Sequence, residues 1–359
     1  MLKRTIKSSV AAGLYYSGAL SLHRRRKRQA NQYAGVPILM YHRVIGDDEQ
    51  QAAHFQPGMC VTRTFFERQM TYLARHYRVI SLEKLISIVR NREPVPPDAA
   101  VVTFDDGWRD NYDIAFPVMK AHGITATIFL ATNLIDGKPL PQFLQVSLML
   151  GQNGIWPRHA VKAFTNVVRS RDLIKSIVKL NEDHLHLIGI NPFHYMRTLM
   201  LLDYADITRV ADEILRLGGL DAQQWRQRRW MLTWDEAREM AEQGIEFGSH
   251  GQSHDLMINV SEEQNRRELA ESKRVIESHL GRPVPTFAYP NGDYTFAIKQ
   301  LVRDAGYAGA AAVRPGDEDL PLPDIYAFRR VGLNEGATLG PFGGFSKTVF
   351  ACLIEGIFG

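Results

Sequence analysis

Cysteine is nearly absent from this chain, which has only Cys60 and Cys352 in 359 residues. Two thiols so far apart in sequence do not indicate a disulfide framework or a thiolate metal site. The chain also lacks a long apolar run, a short-period repeat and a large charge excess, since its net charge is +4. With 45% hydrophobic and 23% charged residues, these absences exclude a polytopic membrane protein, a short-period repeat protein and a disordered chain.

Positive charge is concentrated near the N-terminus. Lys3, Arg4 and Lys7 precede a weakly apolar stretch at residues 10–22, and a basic run at residues 23–28 follows it. The stretch is too short and too polar to span a bilayer, and the basic run stands where a signal peptide has its cleavage site. This pattern favours a basic amphipathic helix on an anionic membrane, with an exposed surface helix as the alternative. Because no recognition motif accompanies it, we expect no nucleic-acid partner.

Strand and helix patterns alternate along much of the chain. Buried strand patterns at residues 36–41, 101–104 and 125–131 are separated by helical ones, and the alternation resumes after a capping box formed by Thr233 and Glu236. Alternation of this kind predicts parallel strands joined by crossover helices. We therefore expect one α/β domain with barrel-like order at residues 35–335, with its functional residues at the carboxyl ends of the strands.

Three segments depart from this order. Residues 1–34 form the basic N-terminal helix, and residues 133–230 show helical periodicity with few strand patterns. The second segment is predicted to be a helical insertion that either covers the site or is a solvated decoration. Residues 336–359 form an apolar tail. The basic N-terminus and this tail together predict peripheral membrane association.

Two adjacent carboxylates follow the strand pattern at residues 101–104. Asp105 and Asp106 repel each other, and the end of a strand tolerates such a pair best when a cation binds there or one group holds a proton. Gly107 then allows a sharp turn. A solvated Asp-Asp-Gly turn is the alternative interpretation.

Two histidines follow another strand pattern, at residues 245–248. His250 and His254 are separated by glycine, glutamine and serine, which favour a loop. Imidazole and carboxylate ligands suit a divalent ion of the zinc type, and three protein ligands leave an open position for catalysis. Asp106, His250 and His254 make such a set, which leaves Asp105 as general base for a metal-activated water. A histidine would suit the general acid that protonates the leaving amine.

These residues are similar to the signature motifs of the polysaccharide deacetylase family, known as the NodB homology domain or carbohydrate esterase family 4. The three motifs are residues 103–107 (Thr-Phe-Asp-Asp-Gly), 249–254 (Ser-His-Gly-Gln-Ser-His) and 287–292 (Phe-Ala-Tyr-Pro-Asn-Gly), in the family's order. The resemblance implies a distorted (β/α)7-type barrel and metal-dependent removal of N-acetyl groups from amino sugars. It also implies Asp105 as the base and zinc as the favoured metal, with cobalt or nickel as alternatives, on Asp106, His250 and His254.

A fourth motif, at residues 38–44 (Ile-Leu-Met-Tyr-His-Arg-Val), resembles the permuted branch of this family, which deacetylates poly-N-acetylglucosamine-type exopolysaccharides. That resemblance implies that His42 is the general acid. The third motif departs from the commoner Arg-x-Pro-Tyr-Gly form because it has no arginine. Arg330 is therefore the predicted substitute for the group that orients the base. We expect the sugar side of the site to include Trp108, Tyr289, Pro290 and Asn291.

The sequence thus predicts a hydrolase that acts on N-acetylated sugars of a polysaccharide or a lipid-linked glycan. Deformylation or deacylation of a lipid-linked sugar is one alternative, which the basic N-terminus and the apolar tail would suit. A glycan-binding protein that kept the fold and lost turnover is another. We expect a cytoplasmic, membrane-associated enzyme, with an exported or anchored enzyme as the alternative.

Overall fold

The structure is a computed structural model that describes residues 2–33, 35–49, 58–137, 140, 142–150, 157–168, 204–313 and 323–358. The chain divides into two compact units. Unit 1 comprises residues 1–44, 63–138 and 230–359, and unit 2 comprises residues 45–62 and 139–229. The second unit therefore corresponds to most of the predicted insertion, but it also takes in residues 45–62, which the sequence placed in the barrel domain.

Unit 1 is built on a parallel sheet. In chain order its strands are β1 (Ile38–Tyr41), β4 (Arg78–Val79), β5 (Ala99–Phe104), β6 (Thr127–Leu130), β7 (Glu246–Ser249), β8 (Thr286–Ala288), β9 (Gly309–Ala312), β10 (Phe328–Arg329) and β11 (Val331–Gly332). They are arranged in the order β10-β9-β8-β7-β6-β5-β1-β11, and β4 pairs with the amino end of β5. Two further short strands, β2 (Arg43–Ile45) and β3 (Cys60–Thr62), lie outside this sheet.

One short segment connects the two ends of the sheet. In it Phe328 pairs with Ala311 of β9, and Val331 pairs with Leu39 of β1. Only Arg330 separates β10 from β11 in sequence, so these two short strands together fill one strand position. The eight strands therefore form a nearly closed barrel with seven strand positions. This arrangement confirms the distorted (β/α) barrel. Because β5, β6 and β9 are buried along their whole length, their apolar sequences suit a parallel sheet that is covered on both faces.

Thirteen α-helices lie in the described part of the chain, and the predicted capping box of Thr233 and Glu236 forms at the start of α10. Their bounds are α1 (Leu2–Tyr16), α2 (Ala19–Ala30), α3 (Arg63–His76), α4 (Leu82–Arg90), α5 (Phe116–Ala121), α6 (Gln142–Leu150), α7 (Pro157–Val167), α8 (Tyr204–Gly218), α9 (Ala222–Gln227), α10 (Trp234–Glu242), α11 (Glu262–Leu280), α12 (Phe296–Asp304) and α13 (Lys347–Ile354).

Unit 2 is mainly helical where it is described, and its strand residues are Ile45 of β2 and the three residues of β3. Helix α8 packs on α6 and α7, and Phe164, Val210 and Ile214 are fully buried. These helices agree with the helical insertion of the predicted fold. The parts of the predicted insertion at residues 138–139, 141, 151–156 and 169–203 lie outside the described residues.

The two ends of the chain are packed together in unit 1. Ala11 and Leu20 form a buried cluster with Val349, Ala351 and Cys352 of α13. The apolar residues of α13 are therefore buried against protein, whereas Phe342, which belongs to the same predicted tail, is exposed. Membrane association of the tail stays a prediction. The predicted single N-terminal helix is also two helices, because the chain turns at Gly18, whose φ of 80° favours glycine. Among the helices that are described, none has both the length and the apolar content needed to cross a bilayer.

Candidate active site

The candidate site lies at the carboxyl ends of three barrel strands. His42 follows β1, Asp105 and Asp106 follow β5, and His250 follows β7. Because these strands are parallel, their carboxyl ends meet at one edge of the barrel. The Nε2 atom of His42 lies 3.9 Å from Oδ2 of Asp105, and Nε2 of His250 lies 3.6 Å from Oδ1 of Asp106. The fold thus brings together residues that are more than 200 positions apart.

Asp106, His250 and His254 form a candidate metal site. One ligand atom from each of these side chains lies within 4.8 Å of the other two. The Nε2 atom of His254 is 3.3 Å from Oδ1 of Asp106. A cluster of two imidazoles and one carboxylate has the composition of a three-ligand zinc site with an open position.

The hydrogen bonds around these ligands test whether a cation fits. Oδ2 of Asp106 accepts a bond of 2.9 Å from the indole Nε1 of Trp108, whereas the buried Oδ1 has no hydrogen-bond partner among the described residues. Nδ1 of His250 donates to the carbonyl oxygen of Ala288 at 2.7 Å, which leaves the lone pair of Nε2 unprotonated. The free oxygen and the free imidazole lone pair face each other. A buried acceptor without a donor is costly, so this donor set fits a divalent cation.

The protonation states also suit metal ligation. Burial lowers the pKa of His250 to about 4, which keeps this imidazole neutral. Burial opposes ionisation of Asp106, but His254, whose Nε2 lies 3.3 Å from Oδ1, outweighs it and holds the pKa of the Asp106 carboxyl well below its usual range. Burial would likewise lower the pKa of His254, but Asp106 raises it. A divalent cation and a proton therefore compete for Nε2 of His254.

Two of the three candidate ligands have unusual backbone geometry. Asp106 and His254 have φ angles of 74° and 60°, in the left-handed region that costs non-glycine residues energy. Gly107 follows with φ of 83°, and a Cβ atom there would lie 2.6 Å from Cδ2 of Leu130. The sharp turn after β5 therefore requires glycine. Strained residues of this kind concentrate at functional sites.

Arg330 holds the second carboxylate of the pair. Its Nη1 and Nη2 atoms donate to the two oxygens of Asp105 at 2.6 Å and 2.8 Å, and both side chains are buried. Burial opposes ionisation of Asp105, but the Arg330 guanidinium outweighs it and lowers the pKa of the carboxyl. Asp105 is thus an oriented, ionised carboxylate beside the candidate metal site. This contact is compatible with the predicted role of Arg330 as the group that orients the base, and that role stays a prediction.

The residues predicted to line the sugar side are distributed differently. Trp108 and Tyr289 are fully buried, so neither has exposed surface with which to contact a sugar. The indole of Trp108 bonds Asp106, and the hydroxyl of Tyr289 donates to the carbonyl oxygen of Tyr326 at 2.8 Å. Pro290 is buried as well, whereas Asn291 is exposed and its side chain donates to Asp293. Trp108 and Tyr289, the two aromatic residues predicted to contact the sugar, therefore belong to the core.

Glu268 is a contributor that the sequence patterns did not reveal. It lies on α11, is buried, and accepts hydrogen bonds from the backbone N–H groups of Gln252 and Ser253 at 2.7 Å and 3.0 Å. These bonds hold the loop that carries His250 and His254. A glutamate beside the apolar stripe of a helix is not distinguishable by sequence from a solvated one, so no local signal could have identified it.

The fold and the site together define a class of hydrolase, and the chain belongs to the polysaccharide deacetylase family. The family profile matches residues 92–179 and 203–310, which is more than half of the chain. Enzymes of this family hydrolyse N-acetyl amide bonds. The matched ranges contain Asp105, Asp106, His250 and His254. His42 and Arg330 lie outside them, and the barrel brings both to the site.

Individual relatives are distant in sequence but similar over most of the chain. The chain is 22% identical to YxkH of Bacillus subtilis (strain 168). The alignment spans 317 residues, which are 88% of this chain and 77% of that protein. IcaB from Ammonifex degensii aligns at 16% identity with a TM-score of 0.53, over 89% of this chain and 97% of its own. The Streptococcus pyogenes deacetylase PplD, in complex with acetate, aligns at 17% identity with a TM-score of 0.51, over 86% and 95%. The two structural similarities show the shared fold.

Proposed function

We propose that this enzyme removes N-acetyl groups from amino sugars of a polysaccharide or a lipid-linked glycan, in a reaction that depends on a divalent metal. The observation that carries the proposal is the partnerless Oδ1 atom of Asp106, buried opposite the Nε2 atoms of His250 and His254 beside an ionised Asp105. Such an arrangement suits metal-assisted hydrolysis of an amide better than binding alone.

Asp106, His250 and His254 would hold the metal, and their two nitrogens and one oxygen favour zinc, with cobalt or nickel as alternatives. When bound, such an ion polarises the acyl carbonyl group and lowers the pKa of a water molecule. The proposal of a metal therefore rests on the identity of these three ligands and on the hydrogen bonds that Asp106 and His250 make to their neighbours.

The proton transfers are assigned to the two residues on the other side of the cluster. Asp105 accepts a proton from the attacking water at its carboxylate, while Arg330 keeps that carboxylate ionised and oriented. The water oxygen bonds the acetyl carbon, and the carbon–nitrogen bond then breaks. His42, with Nε2 3.9 Å from Asp105, donates a proton to the departing nitrogen. The products are acetate and a free amino sugar.

Acetate release from an N-acetylglucosamine oligomer tests the proposal. We expect release by the purified enzyme, loss of release on chelation, and recovery when zinc, cobalt or nickel is restored. Asp105→Asn should abolish the reaction, whereas Asp113→Asn, which alters an exposed carboxylate paired with Arg109, should leave it intact. Activity that survives both chelation and Asp105→Asn would refute the proposal, and glycan binding without acetate release would establish a non-catalytic protein. A parallel reaction with a detergent-solubilised lipid-linked sugar, assayed for formate, fatty acid and acetate, separates polymer deacetylation from deformylation or deacylation.

A further inference from the structure

Helix α1 has a second apolar face that points away from the protein. Ser8 and Ala11 are buried on the side that packs against α13. Leu2, Ile6 and Val10, which are spaced four residues apart and so lie on one face, are 74%, 56% and 47% exposed. Large apolar side chains that line one exposed helix face indicate a surface that contacts something apolar.

The same part of the molecule carries a further exposed aromatic residue. Phe342 is 98% exposed in the turn at residues 340–344. It lines one open cleft together with Ser9, Ala12 and Tyr16 of α1. We call Leu2, Ile6, Val10, Tyr16 and Phe342 the apolar face. It contains five of the nine large hydrophobic residues that are exposed in the described chain.

Charge decides what kind of surface the apolar face contacts. The first acidic residue in the sequence is Asp47, so the segment before it carries only positive charge. Lys3 and Arg4 lie within the first turns of α1 beside Leu2 and Ile6, and both are exposed. In α2, the exposed Leu22 is followed one helical turn later by two exposed arginines, Arg25 and Arg26.

Other arginines of the basic run have internal roles. Arg24 pairs with Asp98 and the buried Glu355, and Arg28 donates to the carbonyl oxygen of Ala99. These contacts attach α2 to the barrel. The basic run therefore has two sides. Arg24 and Arg28 bind the rest of the protein, whereas Arg25 and Arg26 are exposed to solvent.

We propose that the apolar face docks the enzyme on the surface of a bilayer that contains anionic lipids. The exposed apolar side chains enter the boundary between headgroups and acyl chains, and the neighbouring cations pair with anionic headgroups. Because α1 is packed on α13 and Lys7 donates to the carbonyl oxygen of Ala337 at 3.1 Å, the docking surface is part of the folded unit. The proposal does not depend on the catalytic assignment.

Co-sedimentation of the full chain with lipid vesicles tests the proposal. Vesicles of phosphatidylcholine with about one quarter phosphatidylglycerol should bind the protein, and vesicles of phosphatidylcholine alone should bind it at least about tenfold less tightly. Raising the salt concentration should weaken binding to the anionic vesicles. Failure to bind anionic vesicles, or equal binding to both compositions, would overturn the proposal.

Two double variants test whether vesicle binding depends on the apolar face or on exposed apolar side chains in general. Ile6→Ser with Val10→Ser should lower the partition coefficient on anionic vesicles by at least about tenfold, because it removes exposed apolar area from the docking surface. Ile258→Ser with Phe296→Ser removes exposed apolar residues elsewhere in unit 1 and should leave partitioning unchanged. Unchanged thermal unfolding midpoints show that all proteins are folded. Equal partitioning of both variants, or a lipid-free dimer that only the α1 variant dissociates, would contradict docking to a bilayer.

Discussion

Replacing Arg330 by methionine is the most direct test of how the site is built. Arg330 is 2% exposed, and its guanidinium makes two charge-assisted hydrogen bonds to Asp105, which is 3% exposed. Methionine keeps the apolar contact with the Phe129 ring, over which the guanidinium lies at 5.5 Å, but it leaves a buried carboxylate without a counter-charge. Breaking a buried ion pair from one side typically costs about 3–5 kcal/mol, and we expect Arg330→Met to lower the free energy of unfolding by this amount.

Two further variants isolate the ion pair from other effects of the substitution. Arg329→Met alters the preceding residue, whose side chain is exposed, and should change stability by no more than about 0.5 kcal/mol. Combining Arg330→Met with Asp105→Asn removes both charges, so the double variant should be more stable than the additive sum of the single variants by about 2–3 kcal/mol.

Urea unfolding followed by far-ultraviolet circular dichroism measures these differences at neutral pH. A loss for Arg330→Met that is no larger than the loss for Arg329→Met would refute the argument, because the barrel would then close without this pair. Strict additivity of Arg330→Met and Asp105→Asn would refute it as well, since it would show that the two side chains do not stabilise each other.

Three other variants test separate features. Trp108→Phe removes the indole donor to Asp106 and should weaken zinc affinity about 10–100-fold, measured in competition with a chromophoric chelator. Trp234→Phe, which alters a tryptophan stacked on His279, should leave zinc affinity unchanged. Burial raises the pKa of Glu246, so folding takes up a proton there and wild-type stability falls as pH rises through that raised value. Glu246→Gln should therefore be more stable than wild type at neutral pH, with the difference vanishing below the ordinary pKa of glutamate, in thermal unfolding at a series of pH values. Thr233→Ala removes the cap of α10 and should cost about 1 kcal/mol in urea unfolding.

Each of these expectations has a clear contrary result. Equal zinc affinity of Trp108→Phe and Trp234→Phe would show that the indole does not orient the ligand. A stability difference for Glu246→Gln that is the same at every pH would exclude a titrating glutamate as its source. Wild-type stability of Thr233→Ala would show that the capping box does not limit the stability of α10.

The sequence was most informative where the residues that interact lie close together in the chain. Asp105, Asp106 and Gly107 stand next to each other, and His250 and His254 are four residues apart, so strand ends, turns and ligand types could be recognised locally. The capping box of Thr233 follows the same logic, because its hydrogen bonds span three residues. Alternation of strand and helix likewise predicts a parallel barrel, since each crossover uses a contiguous stretch of chain.

The tertiary structure decided the features that depend on distant partners. Arg330 reaches Asp105 because one segment pairs with β9 on one side and with β1 on the other. Trp108 was predicted to face a sugar, but it is buried against Asp106. Within the predicted apolar tail, α13 is covered by α1, which exposes its own opposite face, whereas Phe342 is exposed. Sequence by itself determined which side chains stand at the strand ends, whereas burial, and therefore partner and charge state, depends on chain segments far apart in sequence that only folding brings together.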